Sequence, residues 1–295
     1  MAEDDFLASI DDVRKIITPI DSTIKFPEVL EKLIKKYSDA VKEFQSIVRN
    51  SRTSEEIFIS IRSNRYSSEE RMALLKIFRR CVAPVLDTET SKKIRANPTS
   101  ELIENFGSSF KPIGKLKNQF ANLSREEEMA LIALIGEYDT RGQSGYELTG
   151  IFFDWFAEAL GGEFTIEGPR GAGRDIELSD LYPEFVGDFP CDFVIRRRSD
   201  AEILAVGFAR YDATRGGAQS DDRTGGNANK VEKAKAFDGF TNTKLKMIFL
   251  ADGPGLAHGD TWRETLSLDG QWNGRVRVTT LKIADRRITS DWLCS

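Results

Sequence analysis

The sequence predicts an α+β or α/β protein, in which a mixed central sheet flanked by helices follows a helical N-terminal region. Two patterns support this expectation. Through residues 1–140, apolar residues recur every three or four positions, which is the spacing of helices that bury one face. From residue 146 onward, apolar stretches follow the order helix, strand, strand, strand, helix, strand. That order indicates a mixed sheet rather than a repeating series of parallel βαβ units.

The first region, residues 1–140, is expected to form a domain of helices. Its clearest helix spans Pro27 to Asn50, and the proline suits a first helical turn. Further helix starts are predicted at Ser67, Ser100 and Ser124, because acidic residues follow each of these serines. No catalytic pattern occurs here. Core packing is the default role, and dimerisation or an embrace of DNA are the alternatives.

The second region, residues 141–295, opens with a break at Arg141-Gly-Gln-Ser-Gly. An apolar helix is predicted from Tyr146 to Leu160. Strands are predicted at 164–166, 192–196, 203–211, 245–250 and 275–283, the last of them more exposed. The second and third of these strands are expected to pair as a hairpin. After that hairpin, 216–229 is predicted as a long polar loop and 230–237 as a short helix.

Composition excludes several kinds of chemistry. The 295 residues include one histidine and three widely spaced cysteines, so zinc ribbons, disulfide frameworks and histidine-dependent catalysis are not expected. No apolar run reaches the ~18 residues of a membrane span, and the acidic N-terminus does not resemble a signal peptide. A cytoplasmic protein without a membrane partner is therefore expected. Carboxylates, lysine and arginine are left to perform any chemistry.

Charge is acidic overall but basic in one stretch. The net charge is −5, whereas nine Arg and Lys residues stand against six Asp and Glu residues from Arg196 to Lys235. A local basic field can bind phosphates even on an acidic protein. The alternative is a solvated surface of salt bridges, and charge alone favours that alternative.

Asp192 is the centre of the predicted site. It follows Pro190-Cys191 and begins one apolar strand, and a second apolar strand runs from Ile203 to Tyr211. Phosphodiester hydrolysis needs carboxylates that hold a hard cation such as Mg²⁺, with a protein cation beside them. In these residues and in the order of elements, 145–250 resembles the PD-(D/E)XK nuclease superfamily. A capped strand end or a salt bridge is the structural alternative for Asp192.

The resemblance implies a restriction-endonuclease-like fold and roles for further residues. It makes Glu147 a supporting carboxylate on the preceding helix and Lys230 a catalytic or DNA-contacting residue on the following helix. The second acid of the family pattern is expected at Gly207, and its lysine at Ala209. The chain therefore departs from the family pattern at both positions of the second strand.

Glycine at position 207 leaves three alternatives open. An active enzyme could rely on other carboxylates and another cation, drawn from Asp175, Asp212, Glu147, Arg210 and Lys230. The chain could instead be an inactivated form in which Gly207 replaces an acid, because glycine within a strand is unfavourable. It could also be a DNA-binding relative that does not cleave.

Two polar segments are candidate DNA contacts, because they combine glycine with residue types that read base edges or bind phosphates. One follows the second strand of the hairpin, and the other runs from Gly168 to Asp175. The candidate DNA-binding residues are Arg170, Arg174, Arg215, Gln219, Arg223, Asn227 and Asn229. A flexible surface loop is the alternative for the first segment.

The resemblance implies a type II restriction endonuclease that cuts double-stranded DNA at a short specific site with Mg²⁺. It also implies a homodimer and a partner methyltransferase. Asp192, Asp175 and Asp212 are the candidate metal ligands. The alternatives are a non-cleaving, sequence-specific DNA-binding protein of the same fold and a helical interaction protein whose second region only packs.

Overall fold

A computed structural model describes residues 6–21, 24–137, 139, 143–171, 173–213, 219–241 and 243–295, with only the backbone described at 219–225. The chain divides into two compact units. The helical unit is Ile24–Arg141, and the sheet unit combines Met1–Thr23 with Gly142–Ser295. The sequence placed residues 1–23 with the first region, whereas the structure groups them with the second.

The helical unit is built from helices that bury apolar stripes around one core. Phe44, Phe58 and Phe78 are among its fully buried side chains. Ser67 and Ser124 cap two of the helices through reciprocal capping boxes, as their sequence context predicts. The helices are α1 (Glu28–Asn50), α2 (Ser54–Ile61), α3 (Ser68–Cys81), α4 (Thr88–Lys92), α5 (Thr99–Phe106), α6 (Ile113–Ala121) and α7 (Arg125–Gly136).

The predicted serine cap at Ser100 is wrong. Helix α5 begins one residue earlier, at Thr99, after Pro98. Proline fixes a backbone angle that suits the entry to a helix, so the chain turns into α5 without a side-chain cap.

The sheet unit contains a five-stranded mixed sheet in the order β1-β4-β5-β6-β7. The pairs β1–β4 and β4–β5 are antiparallel, whereas β5–β6 and β6–β7 are parallel. The strands are β1 (Phe164–Glu167), β2 (Ile176–Glu177), β3 (Pro190–Cys191), β4 (Phe193–Arg197), β5 (Ile203–Tyr211), β6 (Lys246–Asp252) and β7 (Val276–Thr279). Strands β2 and β3 form a separate small pair. The predicted α+β class with a mixed sheet and flanking helices is confirmed, as is the β4–β5 hairpin.

Helices lie before, between and after these strands. The two longest are α8 and α10, and the others are short. Their bounds are α8 (Gln143–Ala159), α9 (Leu178–Leu181), α10 (Gln219–Thr241), α11 (Gly259–Leu266), α12 (Gln271–Gly274), α13 (Ala284–Arg287) and α14 (Ser290–Cys294).

Two predicted elements are wrong. The stretch predicted as a long polar loop, 216–229, is helical from Gln219 onward. It forms the start of α10, whose later turns pack on the sheet through the buried Val231 and Ala234. The predicted exposed strand at 275–283 is limited to β7, and all four of its residues are buried. Parallel pairing with β6 and packing on both faces remove β7 from solvent.

The two faces of the sheet bury different residues of β5. Val206 and Phe208 pack in the core that includes α10, whereas Ala205 packs in the core that includes α8. Strand residues alternate between faces, so Gly207 belongs to the α8 face. This alternation decides which residues of β5 can share a site with Asp192.

The N-terminal segment 6–21 is hydrogen-bonded to the C-terminal residue of β6 and to the residue that follows β7. The Thr18 N–H donates to Oδ1 of the fully buried Asp252 at 2.7 Å. The hydroxyl of Thr280 donates to the Ile16 carbonyl oxygen at 2.6 Å. Leu7 is buried in the core of the sheet unit as well. These contacts explain why the segment belongs to the sheet unit.

Candidate functional site

A cavity of about 300 Å³ opens on the α10 face of the β4–β5 hairpin. Charged and polar side chains from β5, α10 and α11 converge on it, and aromatic and aliphatic side chains form its floor. We call it the hairpin pocket. Its lining includes Asp192, Phe208, Arg210, Asp212, Asn227, Lys230, Thr261, Glu264, Thr265 and Leu268.

Asp192 enters the hairpin pocket directly before β4. The backbone N–H of Ala209 donates to its Oδ2 at 2.7 Å. Its Oδ1 accepts no hydrogen bond from the residues that the structure describes. Burial raises the pKa of the carboxyl, and the charge of Asp175 raises it further, while the Ala209 N–H and Lys230 oppose the shift. One oxygen is thus fixed and the other is available to a ligand.

Lys230 projects from α10 toward the same carboxylate. Its Nζ lies 3.9 Å from the centre of the Phe208 ring and donates to the Pro190 carbonyl oxygen at 3.3 Å. Burial lowers the pKa of the ammonium, and the charges of Asp192 and Asp175 oppose that shift. No direct salt bridge joins Lys230 to Asp192, both of which belong to the described chain. The lysine can therefore approach an incoming anion.

Arg210 and Asp212 form a pair at the other side of the hairpin pocket. Arg210 donates to Asp212 Oδ1 through Nε at 2.7 Å and Nη2 at 2.6 Å. The Asp212 backbone is also fixed, because its N–H donates to the Asp252 carbonyl oxygen and its own carbonyl accepts from Gly255. Asp212 is thus less open to a metal ion than Asp192.

Gly207 is not in the hairpin pocket, and the expected position of the second acid is wrong. Gly207 pairs directly with Phe193 on the α8 face of the sheet. A Cβ atom at position 207 would lie 1.9 Å from Cζ of the Phe193 ring. Close packing on that ring explains the glycine within the strand. The β5 residues on the side of Asp192 are Phe208 and Arg210.

Glu147 does not line the hairpin pocket either. It lies on α8, whose Leu148 and Phe152 pack in the core on the opposite face of the sheet. Asp175, by contrast, is exposed immediately before β2, and its charge acts on both Asp192 and Lys230. Asp175 does not line the hairpin pocket either, and its link to Asp192 is electrostatic.

The candidate DNA-binding residues are scattered. Arg170 forms a salt bridge with Asp154 at 2.6 Å, and Arg174 approaches Asp180 at 3.5 Å. Both arginines are exposed. Asn227 lines the hairpin pocket, and Asn229 is exposed on α10. The candidates that lie outside the described side chains are Arg215, Gln219 and Arg223.

The sequence analysis missed one wall of the hairpin pocket. Thr261, Glu264 and Thr265 of α11 contribute polar groups to it. Their spacing of three and four positions places them on one helical face, and that spacing is the signal that could have identified them. Nothing in the sequence alone indicates that this face turns toward β5.

Few carboxylates near the hairpin pocket are available to hold a magnesium ion. Within the described residues, no group of three or more His, Cys, Asp or Glu side chains has the geometry of a metal site. Magnesium needs only one or two protein carboxylates, since water and substrate phosphates complete its shell. The free Oδ1 of Asp192, with the nearby Asp175, fits that requirement.

Comparisons with known proteins find no match: no family model, no curated protein and no solved structure is similar to this chain. Among the helices that the structure describes, none combines the length and the apolar composition of a membrane span.

Proposed function

We propose that this protein is a magnesium-dependent nuclease that hydrolyses phosphodiester bonds of double-stranded DNA. The observation that carries the proposal is Asp192. Its carboxylate is half-buried, one oxygen is fixed by the Ala209 N–H, the other is open to the hairpin pocket, and the charge of Lys230 acts on it. A buried carboxylate and a cation that share a pocket are typical of catalytic sites.

The order of elements supports the PD-(D/E)XK class within this proposal. Helix α8 is followed by the antiparallel strands β1, β4 and β5, then by α10 and the parallel strand β6. Asp192 opens the middle strand of that antiparallel group. By the same resemblance, we propose a type II restriction endonuclease that acts in the cytoplasm as a homodimer, beside a methyltransferase.

Four residues of the hairpin pocket, and Asp175 outside its lining, have roles in this proposal. Asp192 and Asp175 would hold the ion, which polarises the phosphate and makes bound water more acidic when present. The Ala209 N–H holds the Asp192 carboxylate in one orientation. Lys230 donates to a phosphate oxygen and offsets the charge that develops there. Arg210 keeps Asp212 in its ion pair and away from the scissile phosphate.

A second candidate function is sequence-specific DNA binding without cleavage. Phe208 favours it, because this residue occupies the β5 position that faces the same side as Asp192. The Phe208 ring stacks on Phe249 with ring centres 5.1 Å apart, so an apolar surface stands where a second acid could stand. The proposal of cleavage therefore depends on Asp175 as the second carboxylate.

The test is cleavage of plasmid and genomic DNA with Mg²⁺ or Mn²⁺ by the unaltered protein and by Asp192→Asn. We expect discrete fragments from the unaltered protein and a loss of rate greater than about a hundredfold in the variant, because a ligand of the ion is removed. Affinity for DNA should persist. Asp188→Asn is the matched control, since Asp188 is exposed and outside the hairpin pocket.

Cleavage by Asp192→Asn at the rate of the unaltered protein would refute the assignment of the site. DNA binding without cleavage by the unaltered protein would select the second candidate function.

A further inference from the structure

The helical unit contains a cavity of about 460 Å³ whose lining includes several cations and no carboxylate. It lies beside the first turn of α3, at the end of α4 and the turn that follows. We call it the basic pocket. Its polar lining consists of Asn64, Arg71, Lys92, Lys93 and Arg95.

Most of these cations have no acidic partner. Lys92 pairs with Glu89 at 2.5 Å. Arg71, Lys93 and Arg95 form no salt bridge with any residue in the described ranges. Lys93 and Arg95 are exposed, so their charged ends are accessible from solvent. The basic pocket thus keeps a surplus of positive charge that the chain does not neutralise.

A buried guanidinium outside the lining of the basic pocket carries a further positive charge. Arg62 is only 3% exposed, and its Nη2 donates to the carbonyl oxygen of Asn97. Its Nε and Nη1 are buried without a hydrogen-bond partner, as is Nε of Arg71. Burial lowers the pKa of Arg62, and the like charge of Arg71 lowers it further.

Arg71 is part-buried, and its Nη2 donates to the carbonyl oxygens of Ser63 and Tyr66 at 3.1 and 2.8 Å. A buried cation without a counter-charge is costly, and a second cation that repels it raises the cost. An anion in the basic pocket would reduce this repulsion, because it would offset the charge of Arg71, which lines the pocket and acts on Arg62. Arginine presents several N–H donors in a planar fork that matches a tetrahedral oxyanion, and lysine adds a compact charge. The number of donors around one cavity suits a phosphate group, either a free phosphate dianion or a phosphodiester with one negative charge.

We propose that the basic pocket binds a phosphate group, and that in the working protein this phosphate belongs to the backbone of duplex DNA. The choice of DNA as the source rests on the proposed function, whereas the phosphate site itself rests on the charges of the helical unit. A free phosphate is the other source of the same chemistry, and the experiment distinguishes the two.

The first arm measures the affinity of the full chain for a labelled random-sequence duplex at several salt concentrations, with a chelator present so that no cleavage occurs. The variant is Lys93→Gln with Arg95→Gln. Each lost phosphate contact lowers the salt slope of log K by about 0.9, so we expect a decrease of about 1.8. The matched control is Lys115→Gln with Lys117→Gln, which removes two exposed lysines of α6.

The second arm uses inorganic phosphate alone. We expect phosphate to raise the melting temperature of the unaltered protein more than chloride of equal ionic strength does, because it binds the folded state. The Lys93 and Arg95 double variant should lose this excess, and the Lys115 and Lys117 control should keep it. The control also reports the general stabilising effect of phosphate on proteins.

Equal changes of slope in the two double variants, with no selective loss of the phosphate effect, would overturn the site. A selective loss of the phosphate effect with unchanged DNA affinity would support the site and reject DNA as its source. Failure of the proposed nuclease is detected separately, because neither arm requires cleavage and the phosphate arm requires no DNA.

Discussion

Asp192 and Asp269 are both largely buried carboxyls whose pKa burial raises, yet they have opposite surroundings. Asp269 is in direct contact with a buried cation: its Oδ1 accepts from the Val278 N–H at 2.8 Å and from Arg287, and both side chains of the ion pair are nearly inaccessible. Asp192 has one oxygen fixed and one oxygen open, and Lys230 stands near it without a direct contact.

A raised pKa therefore does not by itself identify a functional carboxylate in this molecule. Asp269 belongs to a closed arrangement in which the carboxylate contacts the buried Arg287, and breaking such a pair leaves an uncompensated buried charge. Asp192 belongs to an open arrangement beside a cavity, where a partner is left to a ligand. Direct contact with a buried cation separates the two carboxylates.

Among the substitutions that test this contrast, replacement of Arg287 should lower the free energy of unfolding most. Arg287→Met leaves Asp269 buried without its cation, so the free energy of unfolding should fall by about 3–5 kcal/mol. Urea unfolding at neutral pH measures it. Lys230→Met is the matched variant on the open side, and it should cost less than about 1 kcal/mol because burial already disfavours its charge. Equal losses would erase the distinction between closed and open sites.

A smaller loss is expected at Gly207, on the sheet face opposite Asp192. Gly207→Ala forces the Phe193 ring to move, and overpacking of this kind costs about 1–3 kcal/mol. Gly150→Ala on α8 is the control, since a Cβ there meets nothing within 4 Å. That change should be neutral or should stabilise by up to about 1 kcal/mol, because alanine favours helices. Urea midpoints that shift equally would show that Phe193 does not require glycine.

The smallest effect concerns pH. The folded-state pKa of Asp192 lies above its usual value of about 3.9, so folding favours the neutral carboxyl. Asp192→Asn and the unaltered protein should be equally stable below about pH 3.9 as far as this side chain is concerned. As pH rises through the raised pKa, the unaltered protein acquires a buried charge, and the variant should become the more stable of the two.

Denaturant midpoints collected across that pH range check this expectation. Asp269→Asn is the contrasting variant, because it breaks the pair with Arg287 and should destabilise the protein at neutral pH. A difference between Asp192→Asn and the unaltered protein that does not change with pH would contradict a raised pKa for Asp192.

Local sequence patterns predicted most of the secondary structure. The spacing of apolar residues located α1, and the serines before acidic turns located the starts of α3 and α7. The β4–β5 hairpin also followed from its two apolar runs. The polar start of α10 was missed, because its support comes from later turns that pack on the sheet. Tertiary contacts of this kind override local composition.

The candidate site was predicted in part for a similar reason. Asp192 and Lys230 follow from the order of elements, and the structure brings both to the hairpin pocket. Gly207 was selected by its distance along the chain, although register decides which face a strand residue occupies. The pairing of Phe193 with Gly207 shifts the relevant position to Phe208. Register depends on contacts between strands, which the sequence does not display.

The attachment of the N-terminal segment has a consequence for the order in which the chain acquires its structure. Thr18 bonds to Asp252 across 234 positions, and Ile16 bonds to Thr280 across 264. During synthesis all residues of the helical unit have been made long before either partner emerges. Contacts between distant residues form slowly because a long chain must close. The first residues to be synthesised are therefore expected to be among the last to form their native contacts.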